Sequence, residues 1–146
     1  MLTRIHHVGV VVPSLDEGLK FWRDTLGMRL TKSATIEEQG VRAALLEVGG
    51  SEVELLEPLN AEGGVGKFLA RRGEGIHHVG YGVSDIGEAL ATVAGTGIRL
   101  VDERPRHGSM GASIAFLHPA DLGGVLTELV QLASSARLPH TGVKGI

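Results

Sequence analysis

The sequence predicts an α+β fold in which two tandem βαβββ modules form a curved, cleft-like mixed sheet with flanking helices. Three observations point to it. The chain repeats itself: Ile5-His6-His7-Val8-Gly9 returns 71 residues later as Ile76-His77-His78-Val79-Gly80, and residues 5–19 match 76–90 at eight of 15 positions. Each half then shows the same succession of one strand, one helix and three strands. Finally, 146 residues with 42% apolar and 21% charged side chains suffice for one domain with a buried core.

The elements follow in order. Ile5 to Val12 is a β-branched strand ended by Pro13. Ser14 is the N-cap candidate of a helix, with Glu17 three residues on as a capping-box partner before Leu19, Phe21, Trp22 and Leu26, and Gly27 closes it. Met28 to Ile36, Val41 to Val48 and Glu52 to Leu56 read as strands, separated by the turn formers Gln39-Gly40 and Gly49-Gly50. Val65 to Arg72 reads as a short connecting helix ended by Gly73. In the second half Ile76 to Val83 is a strand, Ser84 or Asp85 caps a helix running to Ala94, and Ile98 to Glu103, Ser113 to His118 and Val125 to Leu132 are strands. Glu54 and Glu128 are 74 residues apart, so the second half carries about three extra residues, expected in the Gly-rich loop around Gly108 to Gly111. One domain is therefore expected over residues 1–132, as module one at 4–60, a connector at 61–74 and module two at 75–132. Residues 133–146 lack periodicity and read as a loose or partner-docked tail.

Composition excludes several functions. A net charge of −3 without a basic run, and only five aromatic side chains, argue against nucleic acid as a partner. The absence of cysteine removes disulfides, thiolate metal sites and cysteine nucleophiles, so a metal would need His and carboxylate ligands. The apolar run Val8 to Val12 is too short for a membrane span or signal core, which makes the cytoplasm the default compartment.

A duplicated curved sheet places equivalent residues around a pseudo-twofold axis. It could therefore bring His7 and His78, and Glu54 and Glu128, to one point. Two imidazoles and two carboxylates suit a borderline divalent ion such as Co²⁺, Ni²⁺, Zn²⁺, Mn²⁺ or Fe²⁺. Because neighbours on a strand face opposite ways, one histidine of each His-His pair should point inward, and the spacing leaves open which.

At this point the chain resembles the vicinal oxygen chelate superfamily and, within it, the methylmalonyl-CoA epimerase family. The resemblance runs from about Ile5 to Gln131. It rests on His7-Val8-Gly9-Val10-Val11-Val12-Pro13, Glu38-Gln39-Gly40-Val41-Arg42, Leu46-Glu47-Val48-Gly49-Gly50 with Glu54-Leu55-Leu56-Glu57-Pro58-Leu59, and Lys67-Phe68-Leu69. It continues in Arg72-Gly73-Glu74-Gly75-Ile76-His77-His78-Val79, Asp102-Glu103-Arg104-Pro105-Arg106, Ala115-Phe116-Leu117-His118-Pro119 and Gly123-Gly124-Val125-Leu126-Thr127-Glu128-Leu129.

The resemblance implies a homodimer in propionate metabolism that interconverts the 2R and 2S epimers of an acyl-CoA, methylmalonyl-CoA, around one divalent ion per site, with cobalt the first choice. It implies that His7, Glu54, His78 and Glu128 are the metal ligands, with His6 and His77 outward or supporting. Some members carry an additional glutamate base three residues after the Gln-Gly motif; here that position is Ala43. The proton transfers then fall to Glu54 and Glu128, as ligand and acid/base together, with Glu47 as a reserve in the substrate site. Ser113 and His118 are candidate substrate contacts, and Lys67, Arg71, Arg72, Arg104 and Arg106 are candidate partners of the CoA phosphates. The alternatives are a glyoxalase-I-like lyase or isomerase acting on a thiol adduct, and a metal-free binding member of the same fold.

Overall fold

In the computed structural model, residues 1–108 and 111–134 are described. Eight strands form one curled mixed sheet in the order β2-β3-β4-β1-β5-β8-β7-β6. The central pair is β1 (Leu2–Val11) and β5 (Gly75–Val83), antiparallel to each other. Each has a parallel neighbour on its other side, β4 (Ser51–Pro58) beside β1 and β8 (Thr127–Gln131) beside β5. Antiparallel strands β3 (Val41–Val48) and β2 (Arg29–Ile36) complete one half, and β7 (Ser113–Leu117) and β6 (Arg106–His107) the other. The duplication read from the sequence is thus the symmetry of the sheet.

Helices α1 (Leu15–Leu19), continued by a π-turn at Lys20–Thr25, and α3 (Ile86–Ala94) cover the outer face. The first packs Leu15 against Val12, Ala44, Leu46 and Leu55. The second packs Ile86, Ala89 and Leu90 against Val83, Ala115, Leu117 and Leu129. Both start at the expected caps: Ser14 Oγ accepts the Glu17 N–H at 3.3 Å, and Asp85 Oδ1 accepts the Glu88 N–H at 2.9 Å, which settles the choice between Ser84 and Asp85. The capping box is only half made, because the Glu17 carboxylate pairs with Lys20 at 2.6 Å.

A second pair of caps extends the repeat into β4 and β8. Glu57 Oε2 accepts the Leu15 N–H and Gln131 Oε1 accepts the Ile86 N–H, both at 2.9 Å. These acceptors stand three residues beyond Glu54 and Glu128. The same spacing therefore aims one side chain of each strand at the cleft and the other at a helix start.

The connecting helix α2 (Gly64–Arg72) lies on the inner face, where Val65, Phe68 and Leu69 pack on Val11, Val41, Ala43 and Leu56. No helix among the described residues is long and apolar enough to cross a membrane.

One expected strand is absent. Residues Ile98 to Glu103 make only an isolated bridge, Leu100 to Leu117, and the short strand in this part of the sheet is β6 instead. Asp102 is the reason. The N–H groups of Val101 and Asp102 both donate to the Phe116 carbonyl, while the Asp102 carboxylate accepts the Phe116 N–H at 2.9 Å. A side chain thus takes the place of a backbone acceptor and breaks the ladder. Positions 109–110 of the expected insertion, and 135–146 of the expected tail, lie outside the described residues.

Candidate metal centre

The repeated pentapeptide encodes two histidines and also the space they occupy. Antiparallel pairing sets His7 opposite Gly80 and Gly9 opposite His78. A Cβ built on Gly80 would lie 2.3 Å from His7 Cε1, and one on Gly9 would lie 2.2 Å from His78 Cε1. Each imidazole therefore lies across the glycine of the other repeat, which turns both rings toward the axis. There His7 Nε2 and His78 Nε2 are 2.8 Å apart.

The carboxylates arrive from the parallel neighbours. In the ladders Glu54 is level with Gly9 and Glu128 with Gly80. Glu128 Oε2 lies 3.1 Å from both Nε2 atoms, and Glu54 Oε1 is 3.7 Å from His78 Nε2. His7, His78 and Glu128 are the buried polar side chains among the described residues, at 5%, 4% and 6% exposure, while Glu54 is partly buried.

This donor set fits a divalent ion. His7, Glu54 and His78 each offer a ligand atom within 4.8 Å of the others, and Glu128 stands against both imidazoles. Two nitrogens with an anionic oxygen at one buried point require shared positive charge, whether protons or a cation. With no thiolate in the chain, the N₂O₂ chemistry is that of borderline metals.

The titration of these groups reflects the crowding. Burial pushes Glu128 up, but hydrogen bonds from His7 and His78 outweigh it and hold the carboxyl at about 2. Burial works against a charged His7, yet the Glu128 hydrogen bond and charge, with Glu54 and Glu52, raise it above 6.5. Burial raises Glu54 despite the opposing pull of both imidazoles.

His6 and His77 depart from strict strand alternation. The ladder between β1 and β5 steps from Ile5/Tyr81 to His7/Gly80 and from Gly9/His78 to Val10/Ile76, so each His-His pair sits on a β-bulge. All four imidazoles consequently line the cleft. Burial, then the adjacent imidazole, lowers both His6 and His77 to about 4.

The cleft has a volume of about 610 Å³. Glu47 lines it and pairs with Arg29, while Arg4 is held by the Gly50 carbonyl. Arg106 stands over the Phe116 ring at 5.3 Å, and Phe116 meets His78 edge-on at 5.7 Å. Beside the cleft, sharing Gly64 and His77 with it, lies a groove of about 380 Å³ bordered by Lys67, Arg71 and Arg72.

Two expected substrate contacts stand outside the lining of the cleft. Ala112, Ile114 and Phe116 line the cleft, so the intervening Ser113 alternates to the other face of β7. His118 uses Nδ1 to accept the Ala120 N–H at 3.1 Å and caps the turn Pro119–Asp121. Sequence reasoning missed Gly9, Gly80 and Phe116. The glycines were visible in the repeat itself, two residues after each inward histidine.

Comparison with known proteins agrees with this architecture. Residues 6–116 match the glyoxalase/bleomycin resistance protein/dioxygenase superfamily. The mitochondrial methylmalonyl-CoA epimerase of Mus musculus is 36% identical over 131 residues, covering 89% of this chain and 74% of that protein. The ethylmalonyl-CoA/methylmalonyl-CoA epimerase of Cereibacter sphaeroides is 33% identical over 134 residues, covering 90% of this chain and all of the relative. Among solved structures, a methylmalonyl-CoA epimerase in complex with methylmalonyl-CoA and NH₄⁺ superposes with a TM-score of 0.87 at 44% identity, over 92% of this chain and 97% of that one. With the duplicated sheet, the paired histidines and glutamates and these relatives in agreement, the chain belongs to the methylmalonyl-CoA epimerase family of the glyoxalase superfamily.

Proposed function

We propose that the chain interconverts (2R)- and (2S)-methylmalonyl-CoA by moving the C2 proton from one face to the other. The observation that carries the reading is the meeting of His7, His78, Glu54 and Glu128 at the floor of one cleft.

The C2 hydrogen of this substrate lies between a thioester and a carboxylate. His7, His78, Glu54 and Glu128 would hold a divalent ion, Co²⁺ by first choice, which when bound would supply Lewis acidity for the negative charge that develops on deprotonation. The protein's own task is proton transfer on two faces. Glu54 and Glu128 come from β4 and β8, on opposite sides of the pseudo-twofold axis. One carboxylate accepts the proton from C2, and the other carboxyl group delivers a proton to the opposite face. The residue at the position where the family resemblance implies an additional glutamate in some members supports this division. Ala43 is buried beneath α2 and carries no titratable group, which leaves the two cleft glutamates for the chemistry. Glu47 lies within the cleft but is paired with Arg29.

The CoA portion is assigned to the neighbouring groove. Lys67, Arg71 and Arg72 border it without a carboxylate among its lining residues, which suits a phosphate-rich chain leaving the cleft past His77. We further assign a homodimer, with the mostly exposed edge strand β2 as the candidate pairing surface.

The test is to incubate protein loaded with Co²⁺, beside a metal-stripped control, with one epimer of methylmalonyl-CoA and follow the epimer ratio. Approach to equal amounts only with metal supports the reading. Failure on both epimers, with turnover of a glutathione hemithioacetal instead, would transfer the same ligand set to glyoxalase-I-like chemistry.

A further inference from the structure

Each inward imidazole has a second nitrogen, and in both repeats that nitrogen meets another imidazole. His7 Nδ1 lies 2.9 Å from His6 Nδ1, and His78 Nδ1 lies 2.9 Å from His77 Nδ1. The ring arrangements also agree, with centroids 5.2 Å apart and interplanar angles of 88° and 87°. The bulges at His6 and His77 make this contact possible, because regular alternation would send adjacent rings to opposite faces.

Two neutral imidazoles at this distance share one proton between the facing nitrogens: one donates and the other accepts. The direction is fixed by the other end of the inward ring. A ring that presents a lone pair at Nε2 must carry its proton on Nδ1. The Nε2 atoms of His7 and His78 converge beside Glu128, and on the metal-binding reading both give their lone pairs to the ion in place of a proton, so Nδ1 is their donor. His6 and His77 are left to accept at Nδ1 and carry their own protons on Nε2. Metal-bound histidines usually give this second N–H to a carboxylate, a carbonyl or water, which holds the tautomer and the ring angle. Here the neighbouring histidine occupies that place. His77 is itself braced by Phe68 of α2, edge-on at 5.0 Å.

We infer that His6 and His77 are positioning residues, a pseudo-symmetric pair of neutral acceptors that lock His7 and His78 in the Nδ1–H tautomer with Nε2 free for a divalent ion. The inference rests on the metal-binding reading of the site.

Its test uses the full chain and Zn²⁺ in competition with a chelator. His6→Phe and His77→Phe keep an aromatic ring but offer no acceptor, and each is expected to weaken Zn²⁺ binding about 10- to 100-fold. His6→Asn and His77→Asn return an acceptor oxygen and should recover most of the affinity. Nitrogen-15 NMR of the Zn²⁺-loaded wild type gives a readout independent of any variant: His7 and His78 should be protonated at Nδ1, and His6 and His77 at Nε2. Protons on Nδ1 of His6 and His77, or Phe variants that bind as tightly as wild type, would overturn the inference while leaving the metal site standing. A wild-type chain that binds neither Zn²⁺ nor Co²⁺ would overturn both together.

Discussion

Replacing Gly80 by alanine should remove His7 from the centre without touching any ligand. The added Cβ would lie 2.3, 2.5 and 2.9 Å from Cε1, Nδ1 and Nε2 of the His7 ring. Restoring an ordinary carbon contact of roughly 3.6 Å requires a retreat of about 1.3 Å. The ring is closely surrounded, with His78 Nε2 at 2.8 Å, Glu128 Oε2 at 3.1 Å and His6 Nδ1 at 2.9 Å. Metal–nitrogen bonds of about 2.0–2.1 Å tolerate only a few tenths of an ångström, so such a shift abolishes coordination by His7. Removing a supporting residue already costs up to ~100-fold in affinity, and losing the ligand itself should cost at least that, or about 2.8 kcal/mol. The metal-free protein should in addition lose ~1–3 kcal/mol from overpacking. A chelator-competition titration with Zn²⁺ measures the first effect and urea unfolding of the stripped protein the second. Gly9→Ala should reproduce both through His78, since its Cβ would stand 2.2 Å from that ring. Gly75→Ala is the control, in the same strand as Gly80 with nothing within 4 Å of the added carbon. A Gly80→Ala protein whose Zn²⁺ affinity stays within a factor of three of wild type would refute the packing argument.

Three further outcomes follow from other parts of the molecule. Glu54→Gln and Glu128→Gln should each slow epimerisation by about 10²- to 10⁴-fold, and in D₂O each should retain exchange from one epimer but not the other; equal residual exchange from both epimers would contradict a two-base division. Asp85→Ala should cost ~1 kcal/mol by urea unfolding and Ser14→Ala less, because the Ser14 bond is the longer at 3.3 Å against 2.9 Å while the second cap, from Glu57 or Gln131, is the same in both helices; the reverse order would count against this view of the caps. The side-chain hydrogen bond from Arg99, followed by its backbone N–H, holds the Asp121 carboxyl at about 2, below its ordinary 3.8. A depressed carboxylate stabilises the fold above its unfolded value and loses that contribution as pH falls through the folded one, so wild type and Asp121→Asn should converge between about pH 4 and 2; a constant gap across that window would show that the pair does not titrate as described.

The repeat made most of the sheet legible. An identical pentapeptide at the same place in two halves implied equivalent strands, and the His/Glu spacing implied that four donors could meet. Ser14 was legible because a serine before an apolar periodic run is a strong local signal. The unexpected features depend on distant neighbours. The side chain of Asp102 substitutes for a backbone acceptor opposite Phe116, and nothing local in residues 98–103 announces it. The bulges that turn His6 and His77 toward the cleft arise from the pairing of β1 with β5, across 71 residues of chain. The face on which Ser113 lies was not legible, because one step along a strand reverses the face and the register of β7 is set by its pairing with β8. His118 was ambiguous for a simpler reason: a histidine before proline is equally suited to capping the following turn, and that is its observed contact.

Exchange of the C2 hydrogen is where metal binding and two-face proton transfer are read together. A single epimer of methylmalonyl-CoA is incubated in D₂O with Co²⁺-loaded protein and with the metal-stripped chain, while deuterium at C2 and the epimer ratio are followed together. Deuterium incorporation and loss of stereochemical purity are expected in parallel, both dependent on the metal. Absence of exchange above the stripped control, with Co²⁺ and with Zn²⁺, Ni²⁺ or Mn²⁺ in its place, would contradict it.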